Sequence, residues 1–138
     1  MPPGSREVEV AAGLLVRGDR VLVAQRRRDD ARGGLWEFPG GTLEPGESVE
    51  ECLARELREE LGIEVRVGEL LLSTTHEEPD LRIHLRVHRV ELVRGEPALL
   101  EHSALAWLLP EELGEIPLSP ADRPVVEWLL ARRGGART

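Results

Sequence analysis

VEVAAGLLV (Val8 to Val16) and RVLVAQRR (Arg20 to Arg27) are apolar and β-branched, and RGDR between them carries a Gly-Asp turn signal. They predict a hairpin. LWEFPGGTLEPGES then spaces Pro and Gly too closely for regular structure, which predicts a loop after a very short strand at Trp36 to Phe38. A helix of about 15 residues follows, starting near Glu47 or Ser48 and ended by Gly62. IEVRVGELLLSTT alternates and then runs apolar, which predicts a strand that becomes more buried along its length. LRIHLRVHRVEL alternates strictly, with Leu81, Ile83, Leu85 and Val87 on one face and Arg82, His84, Arg86 and His88 on the other. SALAWLL is a further short strand and PEEL a turn of helix. SPADRPVVEWLLARR is a closing helix with Ser119 as N-cap and Pro120 in its first position. No repeat or linker interrupts the pattern. One domain over 1–138, with 1–5 and 134–138 as frayed tails, is expected, and its strands and helices predict a mixed sheet in an α/β or α+β domain.

The central helix carries an anomaly. At 100° per residue, Val49, Leu53, Leu57 and Leu61 fall within about 120° and form the core stripe. Glu56, Glu59 and Glu60 span an arc of about 100° that overlaps the edge of that stripe. Arg55 is placed to pair with Glu51 and Glu59, but Glu56 and Glu60 have no basic residue three or four positions away and face each other. Each like-charge pair costs roughly 0.2–0.5 kcal/mol on an exposed helix, and more where the carboxylates lose water. Three clustered carboxylates suit a hard divalent cation, Mg²⁺ or Mn²⁺, whose remaining positions take water or phosphate oxygen. A buried cluster neutralised by protonation is the competing arrangement.

Composition narrows the partners. With 26 acidic residues against 18 basic ones the net charge is −8, which argues against a broad basic face for a nucleic acid polymer. The local exception is QRRRDDAR. All 18 basic residues are Arg, and there is no Lys, Asn or Tyr. No apolar run is long enough to cross a bilayer, MPPGS lacks the features of a secretory signal, and a lone Cys52 leaves no intrachain disulfide. A cytoplasmic protein without a membrane partner, monomeric or homodimeric, is expected.

Gly41, Glu47, Arg55-Glu56-Leu57, Glu59-Glu60 and Gly62-Ile63 stand at the spacing of the Nudix hydrolase signature, and the chain resembles that family at every fixed position. From about Val8 to Leu130 it is similar to the MutT-like branch, which hydrolyses nucleoside triphosphates, and within it to bacterial CTP and modified-dCTP pyrophosphohydrolases; IHLRVH and SPADRP contribute to that likeness. The resemblance implies an α/β/α sandwich around a mixed sheet. It also implies Mg²⁺-dependent cleavage of a nucleotide to a monophosphate and pyrophosphate, in nucleotide-pool housekeeping. An oxidised-dGTP pyrophosphatase is the first alternative, followed by an ADP-ribose or dinucleoside polyphosphate hydrolase. A non-catalytic nucleotide-sensing domain is the alternative from another class.

The same resemblance distributes roles. Glu59 and Glu60 become the principal metal ligands, Glu56 joins the metal or water network, the Gly40 carbonyl completes the shell, and Glu101 joins the metal site or acts as base. Glu56, Glu59 and Glu101 are thus the candidate catalytic residues, with His102 as the neighbour of Glu101. Glu47 and Arg55 are expected to form a structural pair between loop and helix, since a planar guanidinium suits a carboxylate and does not act as a base. Gly41 and Gly62 serve the backbone. Arg26 is the candidate for the substrate phosphates, and His84 and Arg86 share a strand face that holds triphosphate or meets water. Asp122 stands where cytidine-type relatives carry Asp and guanine-reading ones Asn; a carboxylate accepts only, which suits the cytosine amine, and Asp also favours a helix start on its own account. Glu37 and Phe38 are expected to line the same base pocket, and Trp107 and Trp128 to belong to the core.

Overall fold

The structure, a computed structural model, describes residues 6–136. Strand β1 (Arg6–Arg17) turns at Gly18 into β2 (Arg20–Gln25), as the hairpin pattern predicts. β1 starts two residues before its apolar run because Arg6 and Glu7 find backbone partners in Leu81 and Arg82. Next come β3 (Trp36–Glu37) and β4 (Gly40–Thr42). β4 lies in the stretch expected to be loop. It becomes a strand because Gly40, Gly41 and Thr42 pair with Ala12, Ala11 and Val10 of β1, a tertiary partnership that overrides turn-forming glycines. A Cβ at Gly40 would collide with the Ala11 carbonyl, so glycine is what lets the two chains meet.

Helix α1 (Val49–Leu61) opens on a reciprocal cap. The Glu51 N–H donates to Ser48 Oγ, and the Ser48 N–H donates to the Glu51 carboxylate. Gly62 closes the helix in the left-handed region, φ 70°, its N–H directed at the Arg58 and Leu57 carbonyls. β5 (Glu64–Glu78) and β6 (Leu81–Arg94) form a long antiparallel pair, and β6 runs parallel to β1. β7 (Ala104–Leu108) pairs along β2, giving a mixed sheet ordered β3-β2-β1-β6-β5 with β4 and β7 off that path. α2 (Pro110–Leu113) and a 3₁₀ turn (Pro120–Asp122) lead into α3 (Arg123–Ala136).

Three expectations change. β5 does not grow more buried: it is the sheet edge, bulged between Val67 and Leu72, and Leu70 stays half exposed. Ser119 makes no side-chain cap; its N–H donates to the Trp36 carbonyl, and the α-helix starts only at Arg123, after the 3₁₀ turn. Gly134 to Ala136, expected as tail, extend α3, while 1–5, 137 and 138 lie outside the described residues. Trp107 and Trp128 do pack against the cores as expected, from half-buried positions with the guanidinium groups of Arg17 and Arg132 over their rings.

Side-chain parity divides the sheet between two cores. Val10, Ala12, Leu14, Leu85 and Val87 pack with Phe38, Leu118 and Val125 on the α3 side. Ala11, Leu15, Leu22 and Val90 meet Cys52, Leu53, Leu57 and Leu61 of α1 on the other. The arrangement is the expected α/β/α sandwich. Among the described residues no helix is long and apolar enough to cross a membrane.

Candidate active site

The acidic face of α1 is organised by one arginine. Arg55 Nε and Nη2 take both Glu47 oxygens at 2.7 and 2.9 Å, and Nη1 reaches Glu56 at 2.7 Å and Glu59 at 3.3 Å. The hydrogen bonds from Arg55 hold the Glu47 carboxyl down at about 2. Helical spacing alone leaves Glu56 without a cation; the guanidinium curls back to it from the adjacent position, while Glu51 caps Ser48 instead. Cys52 Sγ–H points at the Gly41 carbonyl, 3.5 Å away, and burial pushes its thiol up to about 12, so the group is inert packing.

Glu60 stands apart from this network. It is buried, and desolvation together with the carboxylates of Glu56, Glu37 and Glu101 drives its carboxyl far above the usual range. Its Oε1 has no hydrogen-bond partner. Glu56 lies against β4, where a Cβ on Gly41 would stand 2.5 Å from its carboxyl carbon. Gly41, Glu56 and Glu60 thus come together as the motif leads one to expect, with Glu101, which the resemblance brought to this site, and Glu37, which was expected in the base pocket, close enough to act on Glu60. The side chain of Glu59 is 54% exposed and leans on Arg55.

Among the described residues no three His, Cys, Asp or Glu side chains form a ready-made metal cage, because Arg55 draws Glu56 and Glu59 aside. The orphaned Oε1 of Glu60 and an all-oxygen donor set nonetheless fit a hard divalent cation. Glu60, Glu56 and Glu101 would hold it, joined by Glu59 once released from Arg55 and by the Gly40 carbonyl. Without a cation, burial among like charges favours the protonated Glu60 carboxyl, the competing arrangement that the sequence offered.

A cleft of about 290 Å³ opens beside β4 on the α3 face of the sheet. Val8, Val10, Ile83 and Leu85 give it an apolar floor, and Arg26, Glu37, Phe38 and Asp122 line it. Glu37 is clamped: Arg26 Nη1 donates to its Oε1 at 3.0 Å, and His102 Nε2 to its Oε2 at 2.9 Å. Arg26 also pairs with Asp30 at 3.1 Å. Asp122 is buried, its Oδ2 accepting the Phe38 N–H at 3.2 Å. Burial, then the charge of Glu37, pushes its carboxyl up to about 7 against the pull of that N–H and of Arg32.

His84 and Arg86 lie elsewhere. Even-numbered β6 side chains face the α1 side of the sheet, and the cleft opens on the odd-numbered side. His84 Nε2 donates to Glu7 at 2.7 Å, Arg86 pairs with Glu9 at 2.9 Å, and His88 is buried with Nδ1 bonded to the Gly68 carbonyl. They are cross-strand partners rather than cleft residues, since one residue of parity sends a strand side chain to the opposite face. Arg27 and Arg28 are exposed. Sequence reading missed Arg32, which lines the cleft. Its only signal is the run QRRRDDAR, in which nothing marks the fourth arginine.

A NUDIX domain model matches residues 7–129. The CTP pyrophosphohydrolase of Escherichia coli (strain K12) is 45% identical over 126 residues, covering 91% of this chain and 93% of that protein. The 8-oxo-dGTP diphosphatase of the same strain is 33% identical over 125 residues, covering 90% and 97%. Among solved structures, the E. coli ORF135 protein aligns with a TM-score of 0.84 at 43% identity, over 98% of this chain and 97% of that one. A MutT protein from Methanosarcina mazei Go1 aligns at 0.83 and 25% identity, over 94% and 96%. An arginine-braced carboxylate helix on this sheet thus coincides with a family match from β1 into α3: the chain belongs to the Nudix family and is a pyrophosphohydrolase.

Proposed function

We propose that the chain is a Mg²⁺- or Mn²⁺-dependent nucleoside triphosphate pyrophosphohydrolase acting on CTP, dCTP or modified dCTP, releasing the monophosphate and pyrophosphate. The observation that carries the base assignment is Asp122, a buried carboxyl in the cleft. Its ionised form accepts from the exocyclic amine of cytosine, and its protonated form also donates to the ring nitrogen beside it. The name of the E. coli CTP pyrophosphohydrolase supports the same substrate class.

A divalent ion bound at the α1 carboxylates would polarise the phosphate oxygens and position a water for in-line attack. The chain's own residues do the rest. Phe38 and the floor of the cleft exclude water around the base. Arg26, held by Glu37 and Asp30, brings a positive charge to the phosphate end. Glu56 and Glu101 flank Glu60 as acceptors for the proton of the attacking water. Arg55 keeps the β4 glycines and α1 in register through Glu47 and the Thr42 carbonyl.

A second reading, an oxidised-dGTP pyrophosphatase, is favoured by one observation: a carboxyl titrating near neutrality presents donor and acceptor together, as an amide does. Incubation with Mg²⁺ and CTP, dCTP, 5-methyl-dCTP, 8-oxo-dGTP, diadenosine polyphosphates and ADP-ribose ranks these readings. The highest kcat/KM on a cytidine triphosphate is expected. A preference for 8-oxo-dGTP at every pH between 6 and 9 would replace the cytidine assignment.

A further inference from the structure

Arg32 lines the cleft and lies outside the family signature. It sits in the β2–β3 connection, where its backbone is held from several sides: its N–H reaches Asp30 Oδ1 at 3.4 Å, its carbonyl accepts the Leu35 N–H at 3.2 Å, and a Cβ on Gly33 would collide with the Arg27 and Arg28 carbonyls. The side chain is 31% exposed, and its Nη2 donates to both oxygens of Glu78, at 3.2 and 3.0 Å, from the end of β5. Glu78 is held in turn by His76 Nε2 at 3.1 Å. Nη2 is thereby spent, while Nε–H and Nη1 make no hydrogen bond among the described residues. Asp122 lines the same cleft.

A fixed donor and a fixed acceptor on one cleft with an apolar floor form a complementary pair. Cytosine carries an amine donor at one end of its pairing edge and a carbonyl acceptor at the other. We propose that Arg32 is a specificity-determining residue, a free N–H of its guanidinium donating to the O2 carbonyl of the pyrimidine whose amine meets Asp122. The proposal rests on the cytidine reading above. Glu78 and His76 act as positioning residues that hold the guanidinium at the mouth. Because O2 is common to cytosine and uracil, Arg32 selects pyrimidines as a class, and Asp122 selects cytosine among them.

Steady-state kinetics with CTP, 2-thio-CTP and UTP test the assignment, sulfur being a poorer acceptor than oxygen. Wild type is expected to favour CTP over 2-thio-CTP by about tenfold in kcat/KM, mostly through KM. Arg32→Ala should treat the two within about twofold while keeping the wild-type CTP-to-UTP ratio. Glu78→Gln, which loosens the clamp and leaves the donor in place, should retain part of the preference. Equal use of CTP and 2-thio-CTP by wild type, or an undiminished preference in Arg32→Ala, overturns the role of Arg32 and leaves the cytidine reading standing. Absence of CTP turnover by wild type overturns both. Arg32→Lys guards against a folding defect, since a folded lysine variant that keeps the full preference would also contradict readout by the guanidinium.

Discussion

Glu60 and Asp122 are both carboxyls withdrawn from water, at opposite ends of one site, and their surroundings differ in kind. Around Glu60 stand more acids, Glu56, Glu37 and Glu101, and one of its oxygens has no partner at all. Around Asp122 the protein supplies relief, an N–H from Phe38 and the positive charge of Arg32, against Glu37 alone. The helix end leaves a buried carboxyl oxygen unsatisfied. The base end is complete within the fold and waits only for a hydrogen-bonding partner. A buried carboxylate oxygen left without a partner among like charges therefore points to a cation, and a buried balance of opposite charges to an organic ligand.

The strongest way to break that contrast is Glu60→Gln, which preserves shape and removes the ligand charge. Turnover should fall by about a thousandfold with the fold intact by circular dichroism, and the rise in Tm on adding Mg²⁺ should disappear. An unchanged Mg²⁺ response would place the cation elsewhere. Gly41→Ala acts on the same end by sterics: the new methyl displaces the Glu56 carboxylate, the end of a flexible chain. A loss of activity of about 10- to 100-fold with little change in Tm is expected.

Asp122→Asn tests the other end, and should reduce the preference for CTP over 8-oxo-dGTP by about tenfold without touching Mg²⁺ dependence. It has a pH signature too. The folded-state value near 7 lies above the usual 3.8, so the folded protein holds a proton that the unfolded chain gives up. Wild-type stability should therefore fall between about pH 4 and pH 7 through this group, and urea denaturation of Asp122→Asn should lack that component.

The smallest effect is expected at Arg55→Ala. Glu47 is depressed to about 2, so the pair contributes fully above about pH 4.5 and is lost as pH falls toward 2. The variant should melt a few degrees lower at pH 7 and converge on wild type in acid. A constant gap in Tm across pH would assign the loss to packing rather than charge.

Much of this was legible beforehand, and what was missed has a common cause. Strand alternation in LRIHLRVH and the apolar stripe of α1 identified both cores, because each depends on local periodicity. The motif likewise announced Glu47, Arg55, Glu56 and Glu60, which lie within two turns of helix and one loop. β4 was hidden because its partner, β1, lies about 30 residues away. The Arg55–Glu59 pair follows from helical spacing, whereas the pair between Arg55 and the adjacent Glu56 does not, because neighbouring helix positions do not face each other.

By itself, then, the sequence determined the sandwich, the family and the acidic helix, all consequences of residue periods and of side chains close along the chain. Tertiary structure decided which face each strand residue served. It sent His84 and Arg86 to Glu7 and Glu9 and left the cleft to Ile83 and Leu85. It also brought Arg32, Glu37 and Asp122 together from separate segments. A base pocket assembled across such distances has no local period, and only the pairing of strands brings its walls into contact.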